Sequence, residues 1–224
     1  MNRDIPIIFE DNHLLVVEKP PNVLSQGDKT GDPDMLALLK KDIKLRYNKP
    51  GNVYLGLIHR LDRPVGGVMV FAKTSKAASR LSDQIRRGKF IKQYMAVIHG
   101  RPHKDKGTLL HHLLKDNKTN TVFVVNEGTK GAKKAILDYE VVNTTGDFSL
   151  VKINLHTGRP HQIRVQFSSM GHPLYGDQRY NFREDKAKDW IALWSHKIIC
   201  VHPTLKEEMT FTSLPIKRKP WTWF

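Results

Sequence analysis

Two clusters in the sequence combine residue types that suit catalysis. The first, His59-Arg60-Leu61-Asp62-Arg63-Pro64-Val65-Gly66-Gly67, lies between two apolar runs of strand length. A carboxylate flanked by arginines and followed by a proline and a glycine pair belongs in a tight loop whose backbone can approach a ligand. Opposite charge within a few ångströms lowers an acid's pKa by ~1–3 units. Asp62 would therefore stay ionised, suited to nucleophilic or electrostatic work rather than proton donation. The same residues also suit an Arg–Asp pair that only holds a loop, and the motif alone divides evenly between these uses. The second cluster is Thr157-Gly158-Arg159-Pro160-His161-Gln162-Ile163-Arg164. It places two arginines, a histidine and a glutamine in one loop and the first turn of a helix. Helix N-terminal N–H groups with arginines around them form a phosphate or carboxylate site. The alternative is a solvated, charged first turn, but arginines there oppose the helix dipole and so ask for an anionic partner.

The elements that must position these clusters follow from periodicity. Ile7 to Glu18 reads as two short strands across an Asp11-Asn12 turn. Asp32-Pro33 reads as a helix start, with Leu36, Leu39 and Ile43 on one face. Val53 to Ile58 and Val68 to Ala72 are strand-length apolar runs. Thr74 or Ser75 caps a helix carrying Ala78, Leu81 and Ile85, and Gly88 stands where a left-handed C-terminal cap belongs. Tyr94 to Ile98 and Ile136 to Val142 read as strands. Asn143 to Asp147 is a hairpin signal, and Val151, Ile153 and Leu155 alternate after it. Pro160 opens a short helix that Gly171 ends. Two final strands, near Leu193–His202 and Glu208–Ser213, flank a turn. Hairpin signals outnumber strand–helix–strand crossovers, so the expected class is α+β with a mostly antiparallel mixed sheet and flanking helices.

Composition narrows the function. In 224 residues, 37 Lys and Arg stand against 22 Asp and Glu, a formal net charge of +15. That excess suits a polyanion, because each neutralised phosphate releases counterions. Hydrophobic residues at 39% allow a packed core. The single cysteine, Cys200, excludes an intramolecular disulfide and a paired-thiolate zinc site. No apolar run is long enough for a signal peptide or a membrane span, so the expected setting is cytoplasmic, with no membrane partner.

Taken together, the clusters are identifiable. His59-Arg60-Leu61-Asp62 and the later Gly158-Arg159-Pro160-His161-Gln162-Ile163-Arg164 resemble the RluA-type pseudouridine synthase family. Three further stretches are similar to that family: Glu10 to Leu24 with its Lys-Pro turn, Lys92 to Val97 around a strand tyrosine, and Met170 to Asp177. The C-terminal strands around His202 to Phe211 also fit, so the resemblance runs from about residue 7 to about residue 215. It implies a pseudouridine-synthase-like fold and a single catalytic domain over residues 1–224, with a core at about 7–215 and a basic, aromatic tail at 216–224. It implies that Asp62 is the catalytic aspartate, Tyr94 the active-site tyrosine and Arg164 the arginine paired with the aspartate. Their neighbours His59, Arg60, Leu61, Arg159, His161 and Gln162 become the candidate substrate contacts.

The implied reaction detaches uracil from its ribose in RNA, rotates it and rejoins it through carbon 5, with no metal and no cofactor. The implied substrate is structured RNA, with rRNA and tRNA both fitting, and the enzyme is expected to act as a monomer. The family's small N-terminal RNA-binding domain is expected to be absent, leaving affinity to basic runs: Arg80, Arg86, Arg87, Lys89 and Lys92; Lys130, Lys133 and Lys134; and Lys217 to Lys219 before Trp221 and Trp223. Two departures from the family pattern stand out. Val65-Gly66 replaces a hydroxyl-bearing pair, and Asn22 stands where glycine is usual, a position asparagine tolerates in a left-handed turn. A metal hydrolase lacks a ligand motif here, and His111-His112 on a strand would face opposite ways. A non-catalytic RNA-binding protein would need the basic surface but not Asp62, Tyr94 and Arg164 together.

Overall fold

The computed structural model describes residues 5–181, 185 and 190–224. In chain order the elements are β1 (Ile7–Glu10), β2 (Leu14–Lys19), α1 (Met35–Arg46), β3 (Gly56–Leu57), β4 (Gly66–Ala72), α2 (Ser75–Arg86) and β5 (Ile91–His99). There follow β6 (Lys106–Asp116), β7 (Thr121–Val125), β8 (Lys133–Thr145), β9 (Phe148–Leu155), α3 (Gln162–Ser169), β10 (Leu193–Val201) and β11 (Glu208–Thr212). The expected α+β class with mostly antiparallel strands holds. The chain forms two compact units. One runs through Ile91 and adds Ser195–Leu214; the other is Lys92–Trp194 with Pro215–Phe224.

In the first unit β2 is sandwiched between β1 and β4, both antiparallel to it, in a register running from Leu14↔Ala72 to Lys19↔Gly67. Every residue of β4 is buried, and so are Leu14, Leu15, Val16 and Val17 of β2. This is why both strands read as unbroken apolar runs rather than as alternation. Helix α2 lays Ala77 and Leu81 against Leu14, Val16, Val68 and Val70. Cys200 lies in the same core, 1% exposed. The Thr74 side chain caps α2 by accepting from the Ala77 N–H, and Gly88 beyond its end has φ +69°, both as the sequence suggests.

Helix α1 corrects its expected start. Its cap is Asp34, which accepts from the Ala37 N–H at 3.1 Å, while Asp32 pairs with Arg63 at 2.7 Å. The carboxylate three residues ahead of an orphan N–H wins over the earlier Asp-Pro signal. The Val53–Ile58 strand is also shorter than expected, reduced to the two residues of β3.

In the second unit β5, β9, β8, β6 and β7 follow one another, each antiparallel to the next. The Asn143–Asp147 turn joins β8 to β9 through Gly146 at φ +54°. The β6–β7 hairpin was not expected. Of the eleven residues of β6 only Leu109 and Leu113 are buried, so its apolar alternation is masked by histidine and lysine. Helix α3 starts at Gln162 rather than at Pro160, with left-handed His161 (φ +50°) as its N-cap, and Gln162 to Phe167 are all buried. The C-terminal aromatic turn packs inward. Trp223 lies 4.8 Å from the Phe148 ring and 5.6 Å from that of Tyr175, centroid to centroid, while Lys217 to Lys219 stay exposed.

Candidate active site

Asp62 sits half-buried in the loop between β3 and β4, and that loop is pinned from several sides. Ser25 Oγ donates to the Leu61 carbonyl at 2.7 Å and accepts from the Leu61 N–H at 3.1 Å. The Val65 N–H closes a turn onto the Asp62 carbonyl at 3.0 Å. Beneath the loop, Lys19 is fully buried. Its ammonium donates to the carbonyls of Val65 at 2.6 Å and of Arg63 and Pro20 at 3.1 Å each. Burial pushes its pKa down to about 7; the negative charge of Asp62 pulls it up, and the positive charge of Arg63 pushes it further down. At the far end of the loop Gly67, at φ +113°, touches backbone. A Cβ there would lie 2.3 Å from the Ser195 carbonyl oxygen, so only glycine fits. Asn22 indeed adopts φ +65°, and its N–H donates to the Arg63 carbonyl at 2.8 Å.

The neighbours of Asp62 divide. Leu61 is buried at 6% exposure. His59 Nε2 accepts from the Val70 N–H at 3.1 Å, tying the loop entry to β4. Arg63 is taken by Asp32. Arg60 is exposed and forms no ion pair or hydrogen bond among the described residues.

In the second unit Tyr94 lies on β5 opposite Ile153 of β9 and is 5% exposed. Arg164 projects from α3 and is held by a group the sequence reading missed. Its Nε and Nη2 donate to the two oxygens of Asp177 at 2.7 and 2.8 Å. Asp177 also accepts from the backbone N–H groups of Arg179 and Tyr180. Two buried charges are tolerable only with such dense satisfaction. The Arg164 guanidinium also lies 5.2 Å from the centroid of the Tyr180 ring, and the Tyr180 hydroxyl bonds His161 Nδ1 at 2.8 Å. The loop after α3 is thus a cradle that fixes the arginine.

The other candidates near α3 have internal duties. The Gln162 carbonyl oxygen accepts from the Thr157 hydroxyl at 2.7 Å and the Arg159 N–H at 3.1 Å, and its amide donates to the Ile136 carbonyl. Gln162 therefore shapes the loop rather than presenting a free amide to a ligand. Arg159 Nε donates to the Lys134 carbonyl at 3.0 Å. Lys19 and Asp177 were both within stretches that carry the family resemblance, but only their burial reveals what they do. Lys92 also differs from the sequence reading: it is buried rather than part of a basic surface.

Asp62 on its pinned loop in the first unit, and the buried Tyr94 and clamped Arg164 in the second, thus have side-chain chemistry that fits catalysis, in a chain of net charge +15. Residues 13–169 match the family described as RNA pseudouridylate synthase. An uncharacterized RNA pseudouridine synthase of Bacillus subtilis is 33% identical over 207 residues, 91% of this chain and 66% of that protein. A protein of Borreliella burgdorferi named ribosomal large subunit pseudouridine synthase D is 30% identical over 199 residues, 87% of this chain and 60% of its own length. The solved structure of human RNA pseudouridylate synthase domain containing 4 superposes with a TM-score of 0.79 at 23% identity, covering 94% of this chain and 89% of that one, a likeness of fold. The chain belongs to the RNA pseudouridylate synthase family. It spans about two thirds of the length of the curated relatives it matches, 66% in the Bacillus case.

Proposed function

We propose that this chain acts as a single catalytic domain that converts specific uridines in structured RNA to pseudouridine. The observation that carries the reading is Asp62 itself, a carboxylate on a loop immobilised by Lys19 and Ser25 in a chain of this family. Breaking the bond between ribose C1′ and uracil N1 builds positive charge at C1′, which an ionised carboxylate stabilises or traps. The detached base turns, C1′ bonds to C5, and the proton displaced from C5 must leave while N1 gains one. Atoms and charge balance, so the reaction is an isomerisation that needs no cofactor. Tyr94, or a water it holds, is the candidate to take the C5 proton. Arg164, fixed by Asp177, serves the aspartate.

The protein works in the cytoplasm as a monomer, with RNA as its partner; no helix among the described residues is long and apolar enough to cross a membrane. The name of the Borreliella relative makes large-subunit rRNA the first substrate to test, with tRNA next. Pseudouridine mapping of RNA from cells lacking the gene, before and after incubation with the purified protein, tests the reading. New pseudouridine at defined positions is expected with the wild type and none with Asp62→Asn. If wild type and Asp62→Asn bind RNA and neither modifies it, the protein is an RNA-binding protein without this chemistry.

A further inference from the structure

Two lysines are buried among the described residues, and the fold treats them oppositely. Lys19 is what a structural lysine looks like: three backbone carbonyls receive its ammonium. Lys92, the second residue of β5, is 9% exposed, yet its ammonium makes no hydrogen bond or ion pair with any described residue. Burial pushes its pKa down, and no carboxylate offsets that push. Holding an uncompensated ammonium inside a protein is unfavourable, and folds that keep one give it a partner. None of the described residues supplies that partner, and a ligand can.

The geometry leaves room for it. Lys92 lies on the same face of β5 as Tyr94, two residues on. Its Nζ is not among the polar atoms sealed from solvent without a partner, so the tip of the side chain keeps an opening. That tip lies beneath Gly158, which is exposed; a Cβ built on Gly158 would come within 3.1 Å of Nζ. Gly158 in turn begins the segment leading to α3, whose N-terminus carries no side-chain cap and no acidic residue in its first turn. A buried cation, an open glycine backbone above it and an uncapped helix start close by in sequence all favour an anion.

We propose that Lys92 receives a phosphodiester of the RNA substrate, which approaches over Gly158. This inference rests on the pseudouridine synthase reading for the identity of the anion. It assigns Lys92 a substrate contact on the same strand face as Tyr94, so the phosphate would help place the target nucleotide against the tyrosine.

The test uses Lys92→Met, which keeps length and removes charge, and Gly158→Ala, whose backbone is not in the left-handed region, so that the methyl asks only the flexible tip of Lys92 to give by a few tenths of an ångström. Binding of a single-stranded oligouridylate is measured by fluorescence anisotropy against salt, alongside melting temperature. Lys92→Met should flatten the slope of log affinity against log salt by about 0.7, the value for one phosphate contact to a single strand. Its melting temperature should rise, because a buried unpartnered charge is gone. Gly158→Ala should weaken binding at low salt with its melting temperature unchanged. An unchanged salt slope in Lys92→Met overturns the proposal. If that variant does not fold, wild-type binding by Gly158→Ala overturns it instead. A wild type that binds oligouridylate with the full slope but forms no pseudouridine in cellular RNA would sink the synthase reading and leave the phosphate site standing.

Discussion

At the scale of single residues, Asp177 receives the Arg164 guanidinium on both of its carboxylate oxygens, at 2.7 and 2.8 Å. Asp62, Tyr94 and Arg164 stand in local patterns, whereas the partners of Arg164 and of the Asp62 loop are brought in by folding. Asp177 is one acid among many in the sequence, and only its position under the Arg164 guanidinium marks it. Asp177→Ala should therefore cost about 3–5 kcal/mol by urea unfolding, since it strands a buried guanidinium. It should also lose turnover even where it folds. Arg164→Ala should lose more rate than Arg164→Lys, because an ammonium keeps the charge but not the two-bond clamp on Asp177. Equal, small losses would show that the arginine has no part in the reaction. Lys19 supplies a pH signature. Its pKa is about 7 in the fold against an ordinary 10.5, so between those values the unfolded chain binds the extra proton. The contribution of Lys19 to stability is then least favourable below pH 7 and improves as pH rises toward 10.5. Lys19→Met should flatten that rise in a pH series of unfolding free energies, and it should slow turnover by releasing the Arg63 and Val65 carbonyls. A series that superposes on the wild type would mean Lys19 stays charged throughout.

At the scale of elements, legibility tracked burial. β2 and β4, buried on both faces, read as continuous apolar runs, and the Thr74 cap of α2 stood directly before its helix. β6 and β7 were missed because a half-solvated hairpin needs only two fully buried leucines in β6, too few to set a period. The start of α1 was misplaced because two acids compete for the cap and a distant arginine, Arg63, claims the first. The turn into β4 carries the sharpest constraint. Gly67→Ala would drive a methyl into the Ser195 backbone, which cannot rotate aside as a side chain would. A loss of at least about 3 kcal/mol, or failure to fold, is expected. Gly66→Ala is the comparison, and an equal effect at both would place the constraint elsewhere.

At the scale of the whole molecule, a net charge of +15 suits general attraction to RNA, and on the proposed function a stacked uridine would have to be extruded before its glycosidic bond is reachable, at a cost of a few kcal/mol. On that reading Arg60, exposed beside Asp62 and without an ion pair among the described residues, would either fill the vacated stack, since guanidinium planes stack well on bases, or act as a second charge partner of Asp62. In the first case Arg60→Ala should act poorly on a structured stem-loop and recover much of its rate when the target uridine is already unstacked. Equal losses on both RNAs would end that idea. The basic, aromatic tail packs Trp223 on Phe148 and Tyr175 and leaves Lys217 to Lys219 exposed. Cys200 has a practical use of its own. It is the only thiol in the chain, it is 1% exposed, and burial pushes its pKa up to about 11, so at neutral pH almost none of it is in the reactive thiolate form. The native protein is thus a silent background for maleimide chemistry. A cysteine introduced on an exposed turn, at Lys118 or Lys130, would carry a fluorophore or spin label alone, and RNA arrival could be followed in real time without first mutating the native residue.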